Sequence, residues 1–498
     1  MDKFSLLTVA ALMAFTSAVA AKDSAIKPNI LLILTDDQGY GDLSTHGHPV
    51  LKTPNLDSLG DQSVRFTDFQ VAATCSPTRA ELMTGLHHFR SGVTHTIPPR
   101  EHLDIHATTL PQILKSAGYV TAQIGKWHLG NGPGYNPSNR GFDFAIETAD
   151  SSKGFFNPDV LINGKREARV GFREDILTDE AIQFIGSSKD KPFFCYLATF
   201  SPHEPLAAPE SDIASFRGLP GVDEKTATYL GMVANIDRNV GRLLARIKEL
   251  GLDDRTVVVF MNDNGATCGL DLFNAGMRGC KSTPWLGGTR AISFWRWVGH
   301  WKPHDVETLT SVMDVLPTLS ELAGASVPAA LQSRLDGFSL VPLLTGEPVP
   351  WADERMVFQH VARWPGGMAA EHKYSGAGVR WKEFLLVRNR PCDDPGKKCS
   401  ADKYSPCGHL REVDNGAVLA TYTKSNAQYH WGVTGGSEWE LYDVRKNPAC
   451  DKNLAASEGE ITKKLSAAYE AWWENTYPEM VAAGGDAIHE LQKFPTEK

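Results

Sequence analysis

Asp36 and Asp37 stand side by side directly after the apolar run PNILLILT, and Asp263 and Asn264 follow the run RTVVVFM-N much later in the chain. Adjacent hard oxygen donors at the ends of two buried strands suit Ca²⁺ or Mg²⁺, which take carboxylate and amide oxygens. Either pair alone would serve equally well as a cap or turn. Positive groups occupy comparable places: Lys126 and His128 follow YVTAQIG, His203 follows KPFFCYLATF, and Lys281 lies in RGCKSTPW. Brought to one edge, such a set would hold a cation and an oxyanion together. Donors of this kind act by being in place before charge develops, and losing one typically costs about 2.7–4 kcal/mol of transition-state stabilisation.

A scaffold that collects these residues needs strands ending at a common edge. PNILLILTDD, YVTAQIGKWHLG, KPFFCYLATFSPHEP and RTVVVFMNDNGA each pass from apolar residues to polar, turn-forming ones, as strands buried on both faces do. Helix-length segments lie between them, including TTLPQILKSAG, with a Thr cap and a Gly stop, and YLGMVANIDRNVGRLLARIKELG. Strands alternating with helices predict an α/β fold, a large mostly parallel doubly wound sheet flanked by helices. Ligands of such sheets sit outside the carboxyl ends of the strands. Beyond about Trp351 the rhythm changes to short strand-like pieces, RMVFQHVA, GVRWKEFLLVR and EWELYDV. An amphipathic helix follows, with Ile461, Leu465, Ala468, Tyr469 and Trp472 on one face. The expected organisation is a leader over residues 1–20, a catalytic α/β domain over 21–350 and a smaller C-terminal antiparallel sheet-plus-helix subdomain over 351–498, joined at VPLLTGEPVPWADE.

Composition narrows the classes. With 498 residues, 42% of them hydrophobic and 22% charged, the chain has material for a large core, which sets aside disordered and fibrous proteins. A net charge of −9 supplies no overall field for a polyanion, so nucleic acid is not expected as a partner and an anionic ligand needs a local cationic cluster. The opening MDKFSLLTVAALMAFTSAVAAKDS joins Lys3, an apolar run from Phe4 to Phe15 and the small residues Ala18 to Ala20, as a secretory signal peptide does. No later apolar run is long enough to span a bilayer, and a secreted or periplasmic protein is expected. Export permits disulfides among the eight cysteines. Two bridges of open pairing are expected among Cys392, Cys399, Cys407 and Cys450, Cys268 and Cys280 are spaced to close a short loop, and Cys195 reads as a buried, inert thiol. Cys75 is left over.

Cys75 opens the decisive segment, TCSPTRAELMTG from Thr74 to Gly85. It resembles the type I sulfatase motif C-x-P-x-R followed by T-G, in which the cysteine is oxidised to formylglycine during secretion. KPNILLILTDDQGYGDL resembles that family's opening strand, AGYVTAQIGKWHLG its G-K-W-H-L-G motif and ELYDVRKNPACDKNLA its late E-L-Y-D motif, all in the family's order. The chain departs from the pattern at Leu86, where arginine is usual, at Cys280, where glycine is, and at Leu286, where glutamate is common. These departures bear on substrate more than on chemistry.

The resemblance implies an alkaline-phosphatase-like fold and an arylsulfatase-like sulfuric ester hydrolase. It places catalytic roles on Cys75, Arg79, Lys126, His128, His203 and Lys281. One divalent metal, Ca²⁺ ahead of Mg²⁺, would be held by Asp36, Asp37, Cys75, Asp263 and Asn264. A formylglycine-generating maturation enzyme is the implied partner, and a sulfated carbohydrate or other sulfate ester the implied substrate. In the implied mechanism the hydrated formylglycine attacks sulfur, and His203, assisted by Lys281, protonates the departing alcohol. His128 then deprotonates the second hydroxyl, while Arg79 and Lys126 anchor residue 75.

Three other readings stay open: an aryl sulfate hydrolase, a phosphohydrolase of the same superfamily, and a non-catalytic binder of sulfated glycans. The phosphohydrolases normally use Ser or Thr with two metals, and a binder would have lost a ligand or a catalytic cation. His46, His48, His87, His88 and His95 lie in polar loops and are expected at the surface.

Overall fold

The computed structural model describes residues 27–148, 154–364, 366–388 and 438–487. The expected leader over residues 1–20 and Cys392, Cys399 and Cys407 lie outside the described residues.

The apolar runs form the middle of a ten-stranded sheet. Asn29–Thr35 is buried at every position and pairs in parallel with Phe193–Ala198 on one side and Thr256–Asn262 on the other. Val120–Gly125 adds in parallel beyond Phe193–Ala198. These runs lack alternation because both faces are covered. Leu31 and Ile33 pack with Leu177, Ile236 and Val240 from the helices Arg173–Ser188 and Glu224–Glu249. Ile30, Leu32 and Leu34 pack in the opposite layer with Leu82, Leu114 and Leu316 from the helices Cys75–Thr84, Leu110–Ser116 and Val315–Leu322. The sheet is mostly parallel in its centre and mixed at its margins. Ser293–Arg296 runs antiparallel to Thr256–Asn262, and Asp159–Ile162 with Lys165–Ala168 forms a hairpin at the far edge.

A separate antiparallel sheet joins Met356–His360, Ala377–Trp381, Phe384–Arg388 and Glu440–Asp443. GVRWKEFLLVR, which reads as one piece in the sequence, bends at Lys382 (φ +50°) and makes two of these strands. The helix Gly459–Ala482 covers the sheet through Leu465, Tyr469 and Trp472 as its periodicity predicts, and adds Trp473 and Met480, whereas Ile461 stays only partly buried. The sheet grips the segment that leads to Cys75: Arg380 Nη2 donates to Asp68 Oδ2 at 2.6 Å and Gln359 Nε2 to the Val71 carbonyl at 3.0 Å.

No disulfide is present among the described residues, so Cys268 and Cys280 do not close their loop. Cys280 Sγ turns back to the Lys281 carbonyl at 3.5 Å, whereas Cys268 faces Thr226 and Lys225 at the start of the long helix. Cys195 is wholly buried, and burial raises its pKa, as expected of an inert thiol.

Gly125 closes its strand at φ +102°, and a Cβ there would lie 2.0 Å from the Ala198 carbonyl oxygen. Gly125→Ala must therefore push the two central strands away from each other or change the backbone just before Lys126. A loss of about 2 kcal/mol is expected, read by chemical denaturation together with a fall in activity. An unchanged midpoint would show that the strand end can yield.

Candidate active site

Each of the four central strands ends at the same edge, and the chain immediately beyond each end carries polar groups. Asp36 and Asp37 follow Thr35, Lys126 and His128 follow Gly125, His203 follows the Phe193–Ala198 strand, and Asp263 and Asn264 follow Asn262. The helix Cys75–Thr84, buried along its whole length, brings Cys75 and Arg79 onto this edge. Thr78 Oγ1 fastens it there by donating to the Asp263 carbonyl at 2.6 Å. Lys281 comes from the loop after Asn264, its amide donating to the Ala266 carbonyl at 3.2 Å.

The charges are interleaved. Lys126 Nζ lies 2.5 Å from Asp36 Oδ2, Lys281 Nζ 2.9 Å from Asp37 Oδ2, and Arg79 Nη2 2.7 Å from Asp263 Oδ2. His203 Nε2 is 3.6 Å from the Asp37 oxygen that Lys281 contacts. Cys75 Sγ is 3.8 Å from Asp37 Oδ1, to which Asn264 Nδ2 donates at 2.7 Å. Arg79 Nη1 also donates to the Lys126 carbonyl at 2.9 Å, so one guanidinium ties several strand ends together.

Among the Asp and Asn oxygens of this cluster, Asp36 Oδ1 and Asn264 Oδ1 are buried without a hydrogen-bond partner. Ligand atoms of Asp36, Asp37, Cys75 and His203 all lie within 4.8 Å of one another. Carboxylate and amide oxygens left without donors in a buried cluster fit a hard divalent cation. Asp263 is already engaged, Oδ1 by the Asp37 amide at 3.1 Å and Oδ2 by Arg79.

Burial pushes the Asp36 carboxyl up, but the charges of Lys126, His203, Arg79 and Lys281 outweigh it and hold the group well below the usual carboxylate range. Asp263 goes the other way, raised to about 7 by burial and by the Asp36 charge. Burial and Asp36 raise the Cys75 thiol well above its ordinary value. Burial, with Lys281 for His203 and Lys126 for His128, lowers both imidazoles.

Sequence reasoning missed several contributors. Glu101 Oε2 lies 3.2 Å from His128 Nε2, and Tyr229 Oη lies 2.5 Å from Asp42 Oδ2 and 3.1 Å from the Asp37 carbonyl. Tyr196, a hydroxyl inside the run FFCYLA, reaches Arg79 Nη1 at 3.4 Å and was open to detection as a polar tip in a buried strand. The surface expectation fails for His48, His87, His88 and His95, which are buried. Aromatic cover explains it: the His87 ring meets Trp472 of the C-terminal helix at 4.8 Å, and His48 meets Phe273 at 5.5 Å.

A doubly wound sheet with carboxylates and cations alternating along its carboxyl edge defines a hydrolase of the alkaline-phosphatase-like superfamily. The sulfatase family model matches residues 28–325, and the chain belongs to that family of enzymes. It is 34% identical to arylsulfatase A of Bos taurus over 68% of this chain and 71% of that one. It is 28% identical to the uncharacterized sulfatase YdeN of Escherichia coli (strain K12) over 95% of this chain and 90% of that one. The crystal structure of Ps i-CgsB superposes with a TM-score of 0.75 at 26% identity, covering 93% of this chain and 95% of that one, and a second structure holds that protein in complex with k-i-k-neocarrahexaose.

Proposed function

We propose that this sulfatase hydrolyses sulfate esters of a carbohydrate, using residue 75 as formylglycine and one divalent cation, Ca²⁺ ahead of Mg²⁺. The observation that carries the reading is Cys75 itself. It is buried, its sulfur lies 3.8 Å from Asp37 Oδ1, and Lys126 and Lys281 act on it electrostatically, so residue 75 sits where the carboxylates and cations of the strand ends meet. Oxidised and hydrated, residue 75 would offer two hydroxyls on one carbon, one to attack sulfur and one to release the sulfate. Asp36, Asp37, Asp263, Asn264 and residue 75 would hold the cation, which when bound activates a nucleophile and neutralises an anion.

The remaining steps belong to side chains. Arg79, Lys126 and Lys281 balance Asp36, Asp37 and Asp263, so that a bound dication leaves an excess of positive charge for the sulfate oxygens. His203, sharing an Asp37 oxygen with Lys281, protonates the leaving alcohol. Burial and Lys281 lower its imidazole pKa, while the Asp37 and Asp36 carboxylates work the other way and favour the protonated form. His128, kept neutral by burial and Lys126, accepts the proton of the second hydroxyl. In this reading residues 21–350 form the catalytic domain, and residues 351–498 a smaller subdomain that fastens the approach to Cys75 through Gln359 and Arg380. Residues 1–20 direct export to the periplasm or beyond, and a formylglycine-generating maturation enzyme oxidises residue 75. Among the described residues no helix is long and apolar enough to cross a membrane.

Support for a sugar substrate comes from the fold shared with Ps i-CgsB, solved with a neocarrahexaose. Sulfate release from a panel of sulfated oligosaccharides, run beside an aryl sulfate and a phosphate monoester, tests the reading. Turnover confined to the aryl sulfate or the phosphate ester would replace it. His203→Ala is expected to cost sugar sulfates about 10²-fold or more in kcat, and an activated aryl sulfate, whose leaving group needs no proton, much less. Equal losses would move His203 to sulfate positioning.

A further inference from the structure

The two ring nitrogens of His128 differ in that one has acceptors beside it and the other has no hydrogen-bond partner. Its Nε2 lies 3.2 Å from Glu101 Oε2 and 3.1 Å from the Thr96 carbonyl. Both neighbours are acceptors, so Nε2 carries the proton and neutral His128 has its lone pair on Nδ1. Nδ1 is buried and has no hydrogen-bond partner. The backbone at His128 is left-handed, φ +59°, an unusual state for a residue with a side chain and one found where a fold over-determines a functional group.

Glu101 is equally constrained. It is 6% exposed, and its loop is closed by Thr94 and His95 amides donating to the Arg100 carbonyl at 3.0 and 3.1 Å. The Arg100 guanidinium donates to the Trp364 carbonyl at 2.5 Å and stacks 5.0 Å from that indole. A carboxylate buried in a pinned loop and aimed at one imidazole nitrogen is a device for holding a tautomer.

We propose that Glu101 is a positioning residue: it fixes His128 as the Nε2–H tautomer, so that Nδ1 is the atom that accepts the proton when sulfate is released. The inference rests on the proposed role of His128. In that step Nδ1 takes the hydroxyl proton on residue 75, the O–H electron pair becomes the second bond of the carbonyl, and the carbon–oxygen bond to sulfate breaks with its pair leaving on the sulfate. Attack on sulfur does not use His128, so loss of Glu101 should slow release and leave attack intact.

The test uses the full-length mature enzyme with Glu101→Ala and Glu101→Gln, and His128→Ala as the reference. Glu101→Ala is expected to lower kcat about 10²-fold with KM within about twofold, and mass spectrometry should find sulfate accumulating on the peptide that contains residue 75. Glu101→Gln, whose carboxamide oxygen can still accept from Nε2–H, should recover at least about tenfold of that loss. Independently of turnover, ¹⁵N shifts of the His128 ring should report Nε2–H in the parent and Gln variant and a tautomer mixture in Glu101→Ala. If His128→Ala accumulates the adduct and Glu101→Ala does not, the positioning role is wrong while the function stands. If neither accumulates it, the role of His128 falls and the proposal with it. An unaltered ¹⁵N spectrum in Glu101→Ala also overturns it, and the Gln variant carries the test should the Ala variant fail to fold.

Discussion

Cys75→Ser is expected to take up at most one equivalent of sulfate and then stop. The serine would keep a hydroxyl where the side chain of residue 75 meets Asp37, within reach of Lys126, Lys281 and Arg79, so attack on sulfur remains possible. Release does not. A simple serine ester has no second hydroxyl for His128 to deprotonate, and a carbon–oxygen bond cannot collapse to a carbonyl without one. The enzyme should stall with sulfate on the tryptic peptide containing residue 75, visible by mass spectrometry as one adduct per chain. Cys75→Ala should be inactive and carry no adduct. Sustained turnover by the Ser variant, or full activity of a preparation shown to retain the thiol, would remove the basis for formylglycine.

Removal of the divalent cation should abolish turnover and lower thermal stability together. Asp36, Asp37 and Asp263 are buried within one cluster, and Lys126, Lys281 and Arg79 pair with one oxygen of each, while Asp36 Oδ1 and Asn264 Oδ1 have no hydrogen-bond donor. Desolvated oxygens of this kind are costly until something positive occupies the space between them. A cation present at about 1,000 times its Kd adds roughly 4 kcal/mol to folding stability, and exhaustive chelation should withdraw that amount. Calorimetry with and without EDTA, followed by Ca²⁺ or Mg²⁺ restoration, measures both effects. Full activity in protein stripped of all divalent ions would show that these oxygens do not hold a metal.

What the sequence disclosed, and what it hid, follows from the range of the interactions. The central strands were legible because NILLILT and TVVVFMN are covered on both faces and so cannot alternate, and because each run ends abruptly in polar residues. Such runs place Asp36, Asp37, Asp263 and Asn264 at one edge from the pattern alone. Glu101 was invisible for the opposite reason. It sits in the polar loop PPREHLD, where nothing periodic distinguishes a buried carboxylate from a solvated one, and its partner His128 comes from a different strand end that only the fold brings near. The loop histidines were misjudged in the same way: His87 is buried by Trp472, which only the packing of the last helix brings near. The spacing of Cys268 and Cys280 allows a bridge, but spacing says nothing of where two thiols point, and no disulfide joins them.

The helix that begins at Cys75 is buried from end to end, and Cys75 itself is 1% exposed. The proposed function assigns the oxidation of residue 75 to a maturation enzyme, which would have no access to a side chain buried to this degree at the edge of the ten-stranded sheet. Under the proposed function, oxidation of residue 75 would therefore belong to the interval before the sheet closes over it. On that reading a chain that folds first would keep its thiol and stay silent, and the specific activity of a preparation would report the share of chains oxidised before folding as well as folding itself.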